Sequence, residues 1–352
     1  MDGHLQELLL EPERHAGEPD LATRWLPLVQ RLQALGWIHP EERLLATESA
    51  GEGNMNRTLR VRLGRGSTER SLVLKQALPY VAKYPDIAAP IERGAVEAAF
   101  YTTTSEHEPL KACMPRLLGF DPAAHLLALE DLGQGTDFSV LYVTGGRTSP
   151  LLAHLPSLVN WLAQLHRMPV SPDFPSNAAM RTLNHAHLFV VPFAAEAAVA
   201  LSAPLAELRG KLIADAALMH RLEQLGDRYL GRTQDEDPQA LLHGDFYPGS
   251  WLLDRENDAR VIDPEFAFVG PREFDLGVLS AHLTLAGVSN PPFRALLDAY
   301  EVIQGPIRGD LLDDFAAVEI LRRVFGVAQL PLTLTPPELI QRCTAAWHQL
   351  SR

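Results

Sequence analysis

His243-Gly244-Asp245-Phe246-Tyr247-Pro248-Gly249-Ser250, followed by Val261-Ile262-Asp263-Pro264-Glu265-Phe266, is the stretch on which the reading of this chain turns. A His-Gly-Asp turn stands 18 residues (263 − 245) ahead of an apolar pair that ends in two carboxylates. Ala240-Leu241-Leu242 reads as a short buried strand into the turn, Trp251-Leu252-Leu253 as a strand out of it, and Arg260-Val261-Ile262 as the partner of that second strand. Asp254 to Asp258 makes the polar turn between the last two. The product is a hairpin flanked by acidic residues at both ends.

Phosphoryl transfer from ATP needs such parts: one carboxylate near the attacking hydroxyl, and others to hold the metal ions that neutralise the phosphates. Protein kinases write the catalytic part as H-R-D-x-x-x-x-N and the metal part as D-F-G. By that comparison Asp245 is the candidate base. Ser250 stands five places later, where Asn is usual, and joins Asp263 and Glu265 as a candidate metal ligand. A lone His-Gly-Asp is equally an ordinary turn; the pairing of the two motifs carries the argument.

Outward from the motif, the chain of 352 residues suffices for one large domain or two lobes, and 46% hydrophobic residues allow a substantial core. No apolar run reaches 18 residues, so no membrane span is expected. Met1 to Asp20 lacks the basic and apolar regions of a signal peptide, and Cys113 and Cys343 lack metal spacing. Both read as reduced thiols of a cytoplasmic protein. A net charge of −13 argues against nucleic acid as a partner. It does not exclude ATP, because Mg²⁺ supplies the largest local charge at a triphosphate. A small-molecule substrate is the expected partner, and a homodimer is compatible with the composition.

Leu21 to Trp37 has a helical period ended by Gly36 and Pro40. Strands are expected at Leu44 to Ser49, Leu59 to Leu63 and Ser71 to Lys75, with a turn at Gly51 to Asn56 and a hairpin at Gly64 to Ser67. Pro79 to Pro90 reads as an irregular loop, Ile91 to Glu106 as a helix, and 117–120 and 125–130 as strands. After Asp131 the character turns helical: Leu151 to Arg167, two helices within Phe193 to Leu230 parted near Ser202-Ala203-Pro204, and four more at about 274–286, 292–300, 311–328 and 336–351. The fold class is therefore α+β, a two-lobed protein-kinase-like plan with a small β-rich lobe (1–132) that binds nucleotide and a larger, mainly helical lobe (133–352) that carries catalysis and substrate.

The remaining parts of such a site have candidates. Gly51-x-Gly53 lies between two strands and is either a plain hairpin or a phosphate cover, since glycine lets backbone N–H groups approach phosphate. Lys75 ends the strand Val73-Leu74-Lys75, where kinases keep a phosphate-binding lysine; otherwise it is a solvated strand end. Glu97 is either its partner or the i, i+4 partner of Arg93. Glu130-Asp131-Leu132-Gly133 resembles an interlobe hinge whose backbone bonds adenine. His166 reads as structural. Asp275 is either a helix N-cap or an anchor for the catalytic loop.

Five stretches together resemble the aminoglycoside phosphotransferase and choline kinase superfamily, and within it the 5-methylthioribose kinases. They are Gly51 to Asn56, Leu74 to Val81 (Leu-Lys-Gln-Ala-Leu-Pro-Tyr-Val), His243 to Ser250, Val261 to Pro271, and Glu319-Ile320-Leu321-Arg322-Arg323 with Gly326-Val327-Ala328. The resemblance implies ATP-dependent phosphorylation of the anomeric hydroxyl of 5-methylthioribose, in methionine salvage. It implies Asp245 as the catalytic carboxylate, Mg²⁺ on Asp263 and Glu265, and nucleotide contacts at Gly51, Gly53, Asn54, Lys75, Glu97, Glu130 and Leu132. It also brings Arg322 and Arg323 to the sugar and the transferring phosphoryl group, a role suited to guanidinium groups. Without it, a paired arginine on a helix reads as a solvated face. The catalytic loop departs from the family, with Phe246-Tyr247-Pro248 where Leu-His-Thr is usual and Trp251 where a smaller aliphatic is usual. An amino sugar, aminoglycoside or amino alcohol is the alternative acceptor, and a nucleotide-binding protein without catalysis the alternative class.

Overall fold

The computed structural model describes residues 25–51, 55–133, 135, 137–144, 149–196, 199–233, 239–288 and 290–352. The chain divides into two compact units, Met1–Gly133 and Gln134–Arg352.

In the first unit, helix α1 (Leu26–Ala34) starts with a proline in its first turn and ends at Gly36, whose φ of 72° is the left-handed conformation that glycine adopts without strain. Leu28 and Leu32, one turn apart, bury its inner face. Strands β1 (Arg43–Ser49), β2 (Arg57–Arg65), β3 (Thr68–Gln76), β6 (Leu117–Asp121) and β7 (Leu126–Glu130) form one antiparallel sheet in the order β1-β2-β3-β7-β6. Leu72 and Leu74 of the central strand join Val61, Leu63 and the α1 leucines in one core. Period-2 alternation sends Val73 and Lys75 to the opposite face. Helix α2 (Arg93–Thr104) follows a hairpin of β4 (Tyr80–Val81) and β5 (Tyr84–Ala88). The expectation of an irregular loop over 79–90 missed that hairpin, because two- and five-residue strands are too short to show alternation.

The second unit is mainly helical: α3 (Leu155–Arg167), α4 (Ala178–His185), α5 (Ala203–Ile213), α6 (Ala216–Tyr229), α7 (Glu273–Leu285), α8 (Asn290–Gln304), α9 (Gly309–Phe325) and α10 (Pro336–Leu350). Two small antiparallel pairs sit among them: β8 (Gln239–Leu242) with β11 (Phe268–Pro271), and β9 (Trp251–Leu253) with β10 (Ala259–Val261). The second pair is the expected hairpin. The break within 193–230 falls at Ala214-Asp215 rather than at 202–204. Pro204 opens α5, where the missing N–H costs nothing, and the Asp215 carboxylate caps α6 by accepting from the Ala217 and Leu218 N–H groups.

Helix α7 is buried at every residue except the half-buried Ser280 and Thr284. Gly277 lets it lie close to α9, since a Cβ there would stand 2.7 Å from that of Phe315. Phe274 anchors the core, its ring centroid 4.9 Å from Tyr229, 5.3 Å from Phe315 and 5.9 Å from Phe268. Both cysteines are free thiols; burial pushes Cys343 up to about 12. Among the described residues no helix is long and apolar enough to cross a membrane. Truncating Phe274 to alanine empties the meeting point of three rings, so Phe274→Ala is expected to cost about 3–5 kcal/mol in urea unfolding. A loss of under about 1 kcal/mol would mean that the core around it collapses freely.

Candidate active site

Lys75 is not a solvated strand end. It is buried, and its Nζ lies 2.9 Å and 2.8 Å from the two carboxylate oxygens of Glu97 on α2. Arg93, the competing partner for Glu97, is also buried but donates to Asn56 Oδ1 and to the carbonyls of Met55, Leu78 and Pro90. A buried ion pair of this kind holds the ammonium in one place. Gly51 has a φ of 80°, while Gly53 and Asn54 lie outside the described residues. At the end of β7, the Glu130 carboxylate accepts from the Arg116 Nε and backbone N–H. Leu132 is half-buried between that strand and Gly133, where Arg60 ties the chain by donating to Asp131 and to the Gly133 carbonyl.

In the second unit the candidate catalytic loop, 243–250, is held by a buried carboxylate. Asp275 lies in the first turn of α7, whose N-cap is Arg272, so it does not cap the helix. Fully buried, its carboxylate accepts from the His243 N–H at 2.7 Å, the Gly244 N–H at 3.0 Å and His166 Nε2 at 3.2 Å. His166 in turn accepts from the Tyr300 hydroxyl at 2.7 Å, which fixes its tautomer. His243 Nε2 donates to the Ile262 carbonyl, linking the catalytic loop to the Asp263 loop. Gly244 is obligatory on two counts: its φ is 82°, and a Cβ would sit 2.1 Å from the Phe266 carbonyl oxygen. Ser250 is buried, and its Oγ donates to the Asp245 carbonyl at 2.9 Å.

Asp263 stands at φ 63° and ψ 49°, a left-handed backbone that non-glycine residues rarely adopt, followed by a 3₁₀ turn Pro264–Phe266. Such conformations cost on the order of 1–3 kcal/mol and gather at functional sites. Asp263 is half-buried and Glu265 buried. Among the described residues no group of three or more His, Cys, Asp or Glu forms a metal cage. Two hard carboxylates two positions apart nonetheless fit Mg²⁺, which is held by one or two carboxylates with phosphate and water completing its shell.

The paired arginines are not a solvated face either. Glu319, Arg322 and Arg323 lie three and four apart on α9 and share one side of it. The buried Glu319 carboxylate accepts from Arg322 Nη1 at 2.9 Å, from Arg323 Nε at 2.6 Å and from His282 Nε2 at 3.0 Å. His282 Nδ1 accepts from the Tyr142 hydroxyl at 2.5 Å. Arg323 then extends Nη2 to within 3.4 Å of Asp245 Oδ1 and lies over the Tyr247 ring, 4.9 Å from its centroid. The Arg322 Nε is buried with no partner among the described residues.

Charge and burial oppose each other throughout this cluster. Burial pushes the Asp245 carboxyl up to about 6, against the pull of Arg323 and Arg322 and with the push of Glu319 and Asp263. Burial would also raise Glu319, but the two guanidiniums and His282 hold it well below the usual carboxylate range. His282 is driven down to about 4 by burial, so it is neutral at pH 7. A π-helical turn, Ala186–Val190, carries His187, which burial and the Arg322 charge also hold low.

Of the four residues that depart from the family loop, three are structural. Phe246 is fully buried and stacks on Trp161 with 7° between the ring planes, while Trp251, also fully buried, meets Phe246 at 5.0 Å. Pro248 is buried in a 3₁₀ turn. Tyr247 alone reaches the cluster, packing on His282 at 5.0 Å as well as beneath Arg323.

Residues 47–312 match the model of the phosphotransferase enzyme family. The chain belongs to that family. It is an ATP-dependent phosphotransferase with an alcohol group as acceptor, consistent with the carboxylate and lysine chemistry above. It is similar to a methylthioribose kinase of Exiguobacterium sibiricum, with 28% identity over 85% of this chain and 84% of that protein. A methylthioribose kinase of Geobacillus sp. (strain WCH70) is 25% identical over 83% of this chain and 81% of that one. The structure of choline kinase LicA from Streptococcus pneumoniae superposes with a TM-score of 0.51 at 12% identity, covering 93% of this chain and 98% of that one. The fold is accordingly the α+β protein-kinase-like fold of these phosphotransferases.

Glu319, His282 and Tyr142 carry no role in the sequence reading. Only Glu319 left a signal there, in its i, i+3 and i, i+4 spacing to the arginines. The sharpest test of the frame is Asp275→Ala, which leaves two buried N–H groups and His166 without an acceptor. Each orphaned group costs about 1–3 kcal/mol, and misplacement of the loop is expected to lower kcat on the order of 10²-fold. An Asp275→Ala enzyme with wild-type kcat would show that the loop holds its shape unaided.

Proposed function

We propose that the protein phosphorylates a sugar hydroxyl, most specifically the anomeric hydroxyl of 5-methylthioribose or a closely related 5-deoxy or 5-thio sugar. The observation that carries this reading is the Glu319-held arginine pair beside Asp245, with Arg323 Nη2 at 3.4 Å from the carboxylate. Two fixed guanidiniums disfavour a cationic acceptor such as an amino alcohol or amino sugar. They suit a neutral polyhydroxy one, and the Arg322 Nε, which has no partner among the described residues, is a donor suited to a sugar oxygen. The names of the two relatives support the same substrate class.

In this reading the acceptor oxygen attacks the γ-phosphorus of ATP, the bond to the β,γ-bridging oxygen breaks, and ADP leaves. Asp245 receives the proton of the hydroxyl. Arg323 orients that carboxylate and stabilises charge spreading over the transferring phosphoryl. Lys75, held by Glu97, binds phosphate oxygens, and the backbone of the Glu130–Leu132 segment and of the Gly51–Asn54 turn binds the nucleotide. Asp263 and Glu265 are the residues that would hold Mg²⁺, which supplies charge neutralisation at the phosphates when bound. Ser250 serves the loop through its bond to the Asp245 carbonyl, so its contribution to metal binding is secondary.

Turnover of ATP measured with 5-methylthioribose, ribose, choline and an aminoglycoside tests the acceptor. The expected order puts 5-methylthioribose first by kcat/KM, and preference for either cationic acceptor would overturn the reading. Asp245→Asn is expected to lower kcat on the order of 10³-fold with ATP binding retained. The pH profile of kcat/KM provides a second check. Asp245 must be ionised to receive a proton, so activity falls as pH drops through about 6. Because Arg323 lowers this pKa, Arg323→Gln should move the acid limb to higher pH; a limb that stays in place would separate Asp245 from proton transfer.

A further inference from the structure

Asn177 precedes helix α4 and has the residue type that usually caps a helix by accepting a backbone N–H. It does not do so here: its side chain makes no capping bond. Its backbone instead takes the left-handed conformation, φ 50° and ψ 32°, and its side chain is turned inward and buried. The Nδ2 amide donates to two carbonyls, that of Glu265 at 3.0 Å and that of Ala267 at 2.9 Å. Both partners are carbonyl oxygens, so the orientation of the amide is forced rather than chosen.

These two carbonyls flank Phe266 in the loop that carries Asp263 and Glu265. The other side of the same loop is already held by the catalytic loop: His243 donates to the Ile262 carbonyl, and Gly244 abuts the Phe266 carbonyl. The Asp263–Ala267 segment is therefore gripped from two directions, by the Asp275-anchored catalytic loop and by Asn177. Only the second grip comes from outside the motif, across 88 residues of chain. Within the gripped segment, Asp263 holds a left-handed backbone of its own, which a loop left to itself would relax.

We infer that Asn177 is a positioning residue for the metal-holding loop, setting the backbone from which the Asp263 and Glu265 carboxylates are presented to Mg²⁺. The inference rests on the reading of those two carboxylates as the Mg²⁺ ligands. Residues that orient metal ligands without touching the metal affect affinity strongly, by about 10- to 100-fold.

The test measures binding, not turnover. The dissociation constant of the non-hydrolysable analogue AMP-PNP is determined by calorimetry with and without Mg²⁺, and the ratio gives the tightening due to the metal. Asn177→Gly accepts the left-handed backbone and removes only the amide. Asn177→Asp keeps the size but sets a carboxylate against two carbonyl oxygens. The expected result is an AMP-PNP affinity without Mg²⁺ close to that of the wild type, with the tightening by Mg²⁺ reduced about 10-fold or more in Asn177→Gly and further in Asn177→Asp. Melting temperatures of both variants show whether they are folded, and Asn177→Gly decides if Asn177→Asp is not. A Gly variant with the full wild-type tightening overturns the inference, as does an Asp variant that outperforms it, since that would mean Asn177 only fills space. Asp263→Asn separates the two levels. If it leaves the tightening intact, the metal reading fails and the inference with it; if it abolishes the tightening while Asn177→Gly does not, only the role of Asn177 fails.

Discussion

One buried carboxylate organises the His-Gly-Asp turn of the second unit. Asp275 is fully buried, with no Lys or Arg bonded to it among the described residues, and it accepts from two consecutive backbone N–H groups and from His166. A buried carboxylate of this kind is tolerable only when its lone pairs are filled, and a tight turn can present two N–H groups to one carboxylate only if its backbone is set accordingly. The turn is therefore specified by the demand of the charge as much as by its own residues. Gly244 supplies the positive φ that this geometry requires, and the turn then leaves Asp245 partly open, with 19% of its side chain exposed.

Above that turn the balance is electrostatic. Glu319 has almost no exposed surface, and burial pushes its carboxyl up, but the two guanidiniums and His282 outweigh that push and hold it well below the usual carboxylate range. The consequence for Asp245 is a compromise, because Glu319 and Asp263 raise its pKa while Arg322 and Arg323 lower it. Because both arginines are committed to Glu319, neither can swing fully onto Asp245 and neutralise it as a tight ion pair. The 3.4 Å separation is long for a charge-assisted bond, and it leaves the carboxylate able to take up a proton. Neutral His282, with its tautomer set by Tyr142, contributes a donor to this arrangement without adding a third positive charge.

Much of this was legible in the sequence where local rules decide the outcome. The hairpin at 251–261 and the strand that carries Lys75 follow from alternation and turn chemistry, whereas the inward face of Arg322 and Arg323 was implied by the family resemblance and not by helical spacing. What was not legible depends on partners distant in sequence. Glu97 could face Arg93 or Lys75 by spacing alone, and the buried bonds from Lys75 Nζ to both of its carboxylate oxygens show that it faces Lys75. Asn177 drew no expectation from the sequence, because its amide is claimed by a loop 88 residues away. The break between α5 and α6 was misplaced because Pro204 punctuates the chain more loudly than Asp215, although a proline in the first turn begins a helix as readily as it ends one.

The aromatic seat of the catalytic loop limits how such enzymes can be recombined. Phe246 lies flat on Trp161 from α3 and meets Trp251 from β9, so three rings from three separate segments share one enclosed volume. A loop transplanted from a relative with leucine in place of Phe246 would arrive without the ring that fills this volume, while Trp161 and Trp251 would stay behind. The loop is thus not a portable cassette. Its inheritance unit includes a helix more than 80 residues upstream (246 − 161 = 85), and chimaeras cut at the loop boundaries would divide that unit.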